Sequence, residues 1–256
     1  MFKAALRSLI ISAAVAVAHV MHAAGVPDDC TQLLVATAPD WNSTTGELRM
    51  FERQRGGKWI PQGGAIPVLF GKSGLAWGTG LAGQNESGLR KKERDGRAPA
   101  GVFRIGKIYT YDSQLPGGAD FPSHQVTTAD AWVDDPNHPD YNRHVRIPDP
   151  QNPPAWFEKQ KMRHNDFAYR WLIEVRHNSD PPVAGDGSAI FFHIRRGATR
   201  PTAGCTTMAE DDLVRVIKWL RANRKPSYAL LPSAEYTTKW QAWNLPEPQT
   251  VLAAAQ

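Results

Sequence analysis

The sequence predicts a mainly β fold, and three observations carry that prediction. Short runs rich in Val, Ile, Leu, Phe and Trp recur along the 256 residues. Gly, Pro, Asn and Asp, the residues of turns, separate them. Only one segment carries a helical period. The pattern is that of a β-sandwich or of closed or mixed sheets, with one amphipathic helix and long irregular loops, and not of alternating strands and helices. The length supports one domain with a real hydrophobic core, and no drop in hydrophobicity divides the chain.

Residues 1–24 read as an export signal. Lys3 and Arg7 supply positive charge, Ser8 to Val20 form an apolar stretch, and Ala23-Ala24 offer small residues for cleavage. The stretch is short for a membrane span. Val26-Pro27-Asp28-Asp29 before Cys30 lacks the small residues that a lipid anchor needs, so the expected product is residues 25–256, a single domain without a stable membrane anchor. Removing Lys3 and Arg7 lowers the formal charge from +5 to +3, which identifies no partner. The one basic cluster, Arg90 to Arg94, lacks the aromatics and breadth of a nucleic-acid surface, and a solvated loop is expected there.

The clearest strands are Gln32 to Thr37, Leu48 to Glu52, Ile66 to Phe70, Gly101 to Ile105 and Arg170 to Arg176. In the last, Trp171, Ile173 and Val175 alternate with Leu172, Glu174 and Arg176, so one face is expected buried and the other partly wet. Ala189 to Ile194 is apolar nearly throughout, which suits a central strand with His193 near its end. Tyr228 to Leu231 is a further expected strand, and the tail beyond it carries no motif.

The helix is expected just after Met208. Glu210, Asp211 and Asp212 fill its first turn, where the helix dipole favours acids. Leu213, Val216, Ile217 and Leu220 then recur on one face. Two irregular stretches, Tyr111 to Val145 and Ile147 to Trp156, are rich in Pro, Asp, His and aromatics, as ordered lids are.

Chemistry concentrates at His193 and Cys205. A thiol is mostly protonated at neutral pH, and a nearby histidine removes the proton and stabilises the thiolate. Gly204 permits a tight turn whose N–H groups can converge into an oxyanion hole, and a helix beginning near Glu210 and aimed at the sulfur would lower its pKa. Taken alone, this pair is also compatible with a buried structural cysteine. Cys30, the only other cysteine, is either a small buried side chain or a bridge partner that would silence Cys205. His138 and His177 sit in turn sequences and read as surface histidines. No set of ligands with the short spacing of a zinc site is visible, so no metal and no cofactor are expected.

Gly187-Ser188-Ala189-Ile190-Phe191-Phe192-His193 followed by Pro201-Thr202-Ala203-Gly204-Cys205 resembles the active-site signature of the L,D-transpeptidase (YkuD) family. Lys92-Glu93-Arg94-Asp95-Gly96-Arg97-Ala98-Pro99-Ala100-Gly101-Val102-Phe103 is similar to the segment by which that family enters its sheet. Trp132-Val133-Asp134-Asp135-Pro136 with Tyr141-Asn142 resembles its Gram-negative branch. The resemblance runs from about Val68 to Leu220. Its usual motif has a histidine where this chain has Ala203, and Arg or Asn where this chain has Thr207.

The resemblance implies a periplasmic enzyme with Cys205 as nucleophile and His193 as base. Thr202, Ala203, Gly204, Arg195 and Arg196 would line the oxyanion hole and substrate site, with Arg200 nearby. The arginines either pair with substrate carboxylates or belong to a solvated loop. The implied partner is a peptidoglycan stem peptide or a related envelope polymer, acted on by a monomer through a thioester that an amine or water resolves. Ala203 and Thr207 leave open an L,D-carboxypeptidase, an amidase or a transferase on another envelope polymer. A wall-binding module without turnover is the reading from outside enzymology.

Overall fold

Alternating and continuous apolar runs give the chain most of its strands, and their pairing closes the sheet. The computed structural model describes residues 25–252. The expected export signal, residues 1–24, lies outside the described residues. The strands are β1 (Gln32–Ala38), β2 (Thr45–Glu52), β3 (Ile60–Leu69), β4 (Leu75–Trp77), β5 (Ala98–Thr110), β6 (Ser123–Gln125), β7 (Asp130–Trp132), β8 (His144–Arg146), β9 (Trp171–Val175), β10 (Phe191–Ile194), β11 (Thr206–Met208) and β12 (Ser227–Pro232). The α-helices are α1 (Phe157–Gln160), α2 (Glu210–Trp219), α3 (Ser233–Lys239) and α4 (Pro248–Val251).

The main sheet runs β12-β1-β2-β3-β11-β10-β9-β5, and β5 pairs back onto β12 through Arg104↔Ser227 to Gly101↔Leu230. The circuit is therefore closed, which removes the free edges that an open sheet must protect. Within it β1 and β12, and β10 and β11, are parallel, and the other neighbours are antiparallel. The mainly β expectation holds.

The main core lies against this sheet. Phe51, Phe103, Phe192 and Tyr228 are fully buried, and so are Leu213, Val216, Ile217 and Leu220 at one face of α2. Burying each side chain of this size contributes roughly 1.5–3 kcal/mol. Cys30 is part of this core, its Sγ donating to the Gln32 carbonyl, and both cysteines are free.

A smaller core forms where the segment after β5 folds back over the sheet, burying Tyr109, Val126, Trp132, Met162, Leu172 and Phe191 together. The irregular stretch expected from Tyr111 to Val145 thus contains β6, β7 and β8. Strand β6 pairs with β5, while β7 and β8 form a separate two-stranded ribbon with Trp132 opposite His144. We call this ribbon and its flanking loops the cover. It buries Leu172, which the alternation placed on a partly wet face, while Glu174 on the same face stays half-exposed.

Two further expectations are corrected. His177 is not a surface histidine. It is 1% exposed, accepts from the Thr79 N–H at Nδ1, reaches the Asp186 carbonyl through Nε2 and meets the Phe103 ring edge-on. The strand expected from Ala189 starts only at Phe191, because Ala189 has the left-handed φ of 55°. That conformation is unfavourable for an L-residue and needs support from its surroundings.

Asn142 supplies the support. Its Oδ1 accepts from Ala189 N–H (3.1 Å) and Trp132 Nε1–H (3.1 Å), and its Nδ2 donates to the carbonyls of His177 (2.9 Å) and Asn178 (2.7 Å). Asn142 is itself left-handed at φ 56°, which Asn tolerates better than most residues. Asn142→Ala strands two buried N–H groups at about 1–3 kcal/mol each. Urea unfolding is expected to show a loss of about 3 kcal/mol or more, against less than about 0.5 kcal/mol for the exposed Lys218→Ala.

Candidate active site

Strands β10 and β11 are parallel neighbours in the register Phe192↔Thr206, His193↔Thr207, Ile194↔Met208. Cys205 immediately precedes β11, which sets it level with Phe191 at the start of β10, and His193 lies two residues further along that strand. Both line one cavity of about 390 Å³. The Cys205 thiol is half-buried and donates to the Ala189 carbonyl at 3.5 Å, so the strained residue held by Asn142 is also the one that orients the sulfur.

His193 is 3% exposed. Its Nδ1 lies 2.9 Å from the Ile194 carbonyl, and a carbonyl only accepts, so Nδ1 carries the proton. The lone pair therefore sits on Nε2, the nitrogen that a general base must use. Tyr169 meets the imidazole edge-on with centroids 5.1 Å apart, and the Arg196 guanidinium lies 4.6 Å above the Tyr169 ring. Asp166 then fixes Arg196 through Nε (3.0 Å) and Nη2 (2.5 Å).

The turn that carries Cys205 is stitched by Thr202. Its hydroxyl donates to the Cys205 carbonyl (2.6 Å) and accepts from the Gly204 N–H (3.0 Å). The Thr202 backbone pairs with Phe70 and Lys72 at the end of β3. Gly204 is required by close approach, since a Cβ there would lie 2.9 Å from the Arg97 carbonyl. The upstream segment from Lys92 thus reaches the site by packing its turn against the nucleophile turn. In that turn the Asp95 carboxylate takes Lys91 Nζ and the N–H groups of Lys92 and Arg97.

Of the residues expected here, Arg196, Thr202, Ala203 and Gly204 line the cavity beside His193 and Cys205. Ala203 is exposed. Arg195 is not among the lining residues, and Arg196 is committed to Asp166, whereas the exposed Arg200 lines the rim with no ion pair among the described residues. Thr207 is buried beside His193, and its hydroxyl has no hydrogen-bond partner.

The residue types that sequence reasoning passed over are the site's acids. Glu93 Oε2 accepts from Tyr141 Oη–H and from Ser188 Oγ–H (2.7 Å). Asp134 is pushed above the usual carboxylate range by burial and by neighbouring Glu93. Asp134, Tyr169, Ala189 and Cys205 also line a second cavity of about 160 Å³, closed by Trp132 and flanked by Lys159 and Lys161. Cys205 therefore borders two adjoining cavities. A further cavity of about 530 Å³ lies elsewhere, among Arg104, Lys107, Glu174 and Arg176, and is lined by no cysteine, serine or threonine.

The L,D-transpeptidase catalytic domain, YkuD, matches residues 49–227. The chain belongs to the L,D-transpeptidase (YkuD) family. No curated protein and no solved structure matches it. At the level of the family the activity is acyl transfer of the L,D-transpeptidase type on peptidoglycan, and the family is generally extracytoplasmic. Among the described residues no helix is long and apolar enough to cross a membrane.

The electrostatics of this L,D-transpeptidase site differ from the sequence expectation. Burial pushes the Cys205 thiol up to about 11 and the His193 imidazole down to about 4. Helix α2 begins only at Glu210, beyond β11, so its N-terminus does not abut the sulfur. Desolvation wins, and the resting pair is a neutral thiol beside a neutral imidazole. The folded His193 is a competent base above about pH 4, and the thiolate fraction of Cys205 grows until about pH 11. Alkylation of Cys205 by iodoacetamide should therefore accelerate by about tenfold per pH unit between pH 6 and pH 9. A rate that levels off below pH 8 would show a resting thiolate–imidazolium pair instead.

Proposed function

We propose that the protein is an exported cysteine acyltransferase of the periplasm that acts on peptidoglycan stem peptides through a thioester on Cys205. The observation that carries this reading is that Cys205 lines two cavities, one of them shared with His193, whose Nε2 is unprotonated. A transferase needs that arrangement, because donor and acceptor must both reach one sulfur.

Because the pair rests neutral, His193 Nε2 takes the thiol proton as the sulfur attacks the carbonyl carbon of the amide after the third stem residue. The C–S bond forms and the carbonyl oxygen becomes an oxyanion. Gly204 N–H is occupied by Thr202, so the Cys205 N–H is the donor assigned to that oxygen. The oxyanion collapses, the C–N bond breaks, and the proton on Nε2 passes to the departing D-alanine amine. An acceptor amine then attacks the thioester, loses its proton to Nε2, and the sulfur leaves and regains that proton. The product is a 3–3 cross-link.

The Arg200 and Arg94 side chains that line the larger cavity suit the carboxylates of such a stem, and Glu93 and Asp134 suit its amine. A second reading is L,D-carboxypeptidase activity, in which water resolves the thioester. It is favoured by Ala203, whose small exposed side chain leaves the nucleophile turn open to solvent.

Defined tetrapeptide muropeptides analysed by liquid chromatography and mass spectrometry test the proposal. Wild-type protein is expected to release D-alanine and give cross-linked or trimmed product. Cys205→Ala should give none with an unchanged fold, and His193→Ala should lose about 10²–10⁴-fold in rate. Full turnover by Cys205→Ala would end the proposal.

A further inference from the structure

The cover holds a second cluster of chemistry-bearing side chains, away from the nucleophile. His124 on β6, Asp130 at the start of β7 and His144 at the start of β8 come from three short strands and converge in space. His124 Nε2 lies 2.8 Å from Asp130 Oδ1, and His144 Nε2 lies 2.7 Å from the same oxygen. Asp130 is fully buried. Its other oxygen, Oδ2, is already held by the Thr127 N–H (2.7 Å) and the Thr127 hydroxyl (2.6 Å). Two imidazole nitrogens thus converge on one carboxylate oxygen, the three atoms lying within 4.8 Å of one another.

We propose that His124 Nε2, Asp130 Oδ1 and His144 Nε2 form a binding site for a divalent transition metal of the zinc type. Two imidazoles and one carboxylate are a donor set of intermediate softness, which suits zinc and disfavours calcium or magnesium. Thr127 acts as the outer partner that aims the ligating carboxylate, as outer groups do in metal sites. Tetrahedral coordination at ordinary bond lengths spaces donors by about 3.3 Å. The ligands need to open by about half an ångström from their 2.7 and 2.8 Å contacts, and imidazoles whose side chains are 20% and 26% exposed can do so. The proton on each Nε2 moves to Nδ1 as the nitrogen turns to the ion, so both rings stay neutral. Burial already holds His144 below the usual histidine range.

The cations facing the cluster are Lys107 and Arg146, whose Nε is 3.7 Å from Asp130 Oδ1. The Arg146 side chain is 60% exposed and free to leave when an ion arrives. Tyr109 packs against both imidazoles and against Trp132, closing the site on its inner side.

The site joins the two parts that the cover must hold together. Strand β6 is bonded to β5 of the main sheet, and β7 and β8 belong to the cover. An ion here closes the loops between them, and closing loops removes freedom from the unfolded chain. Trp132 at the end of β7 walls the smaller cavity at Cys205, so the ion would fix one wall of that cavity without touching a reacting atom.

The test uses the chain stripped with a chelator and titrated with Zn²⁺, with Cys205→Ser as background so that no thiolate competes. One equivalent is expected to bind and to raise the thermal midpoint. His124→Gln and His144→Gln should each weaken binding by at least about tenfold. Co²⁺ in place of Zn²⁺ should give tetrahedral d–d bands without thiolate charge transfer. Failure to bind one equivalent, or binding by both variants as tight as that of the background protein, would overturn the site. Should a variant fail to fold, X-ray absorption on the folded background protein decides, since a shell with fewer than two imidazoles also overturns it.

Discussion

The parallel pairing of β10 with β11 is the constraint from which the site follows. Adjacent parallel strands require the chain to cross over before it re-enters the sheet, and here the loop from Arg195 to Cys205 makes that crossing. The crossing returns the chain beside β10 and sets Cys205 level with the start of that strand, in the cavity that His193 also lines. The Thr202 hydroxyl, the side-chain-free Gly204 and the backbone bonds to β3 all act to hold the returning turn in place. The wall on the other side is Ala189, whose unfavourable conformation persists because Asn142 and the cover hold it. Cys205 is thus positioned by interactions that come from three distant parts of the chain.

Burial then sets the chemistry. A site that excludes water strengthens hydrogen bonds and dipoles aimed at the reacting atoms, and it also penalises any charge that forms early. Cys205 and His193 both feel that penalty, which keeps them uncharged at rest. In the proposed reaction, proton transfer and C–S bond formation are consequently coupled in one event, and the charge appears where the substrate oxygen becomes an oxyanion. The ring of Tyr169, with Arg196 and Asp166 behind it, holds the imidazole for that event without giving His193 a carboxylate partner.

Much of this was legible in the sequence, for physical reasons. Long apolar runs and a strict helical period survive any tertiary context, so β1, β2, β9, β12 and α2 follow from the chain alone. That His193 and Cys205 share one cavity was foreshadowed by the motif that flanks them. The rest depends on contacts distant in sequence. Strands β6, β7 and β8 have three residues each, too few to show a period, and they exist because the cover packs on Tyr109, Leu172 and Phe191. His177 sits in a turn sequence, yet its loop folds inward onto Phe103. Asn142 reads as one more polar loop residue until Ala189 and Trp132 arrive at its side chain. His124, Asp130 and His144 lack the short spacing of a metal motif, and only the pairing of β6 with β5 and β7 with β8 brings them together.

The cover therefore links two places that the chain keeps apart: the cluster at its base and the cavities at the sulfur. At the centre stands the claim that Cys205 is a live nucleophile while Cys30 is a sealed core side chain. Intact and peptide-level mass spectrometry after exposure to a carbapenem, which acylates nucleophilic thiols of this family, tests it most directly. The account expects one adduct, mapped to Cys205. No adduct, or an adduct on Cys30, would contradict it.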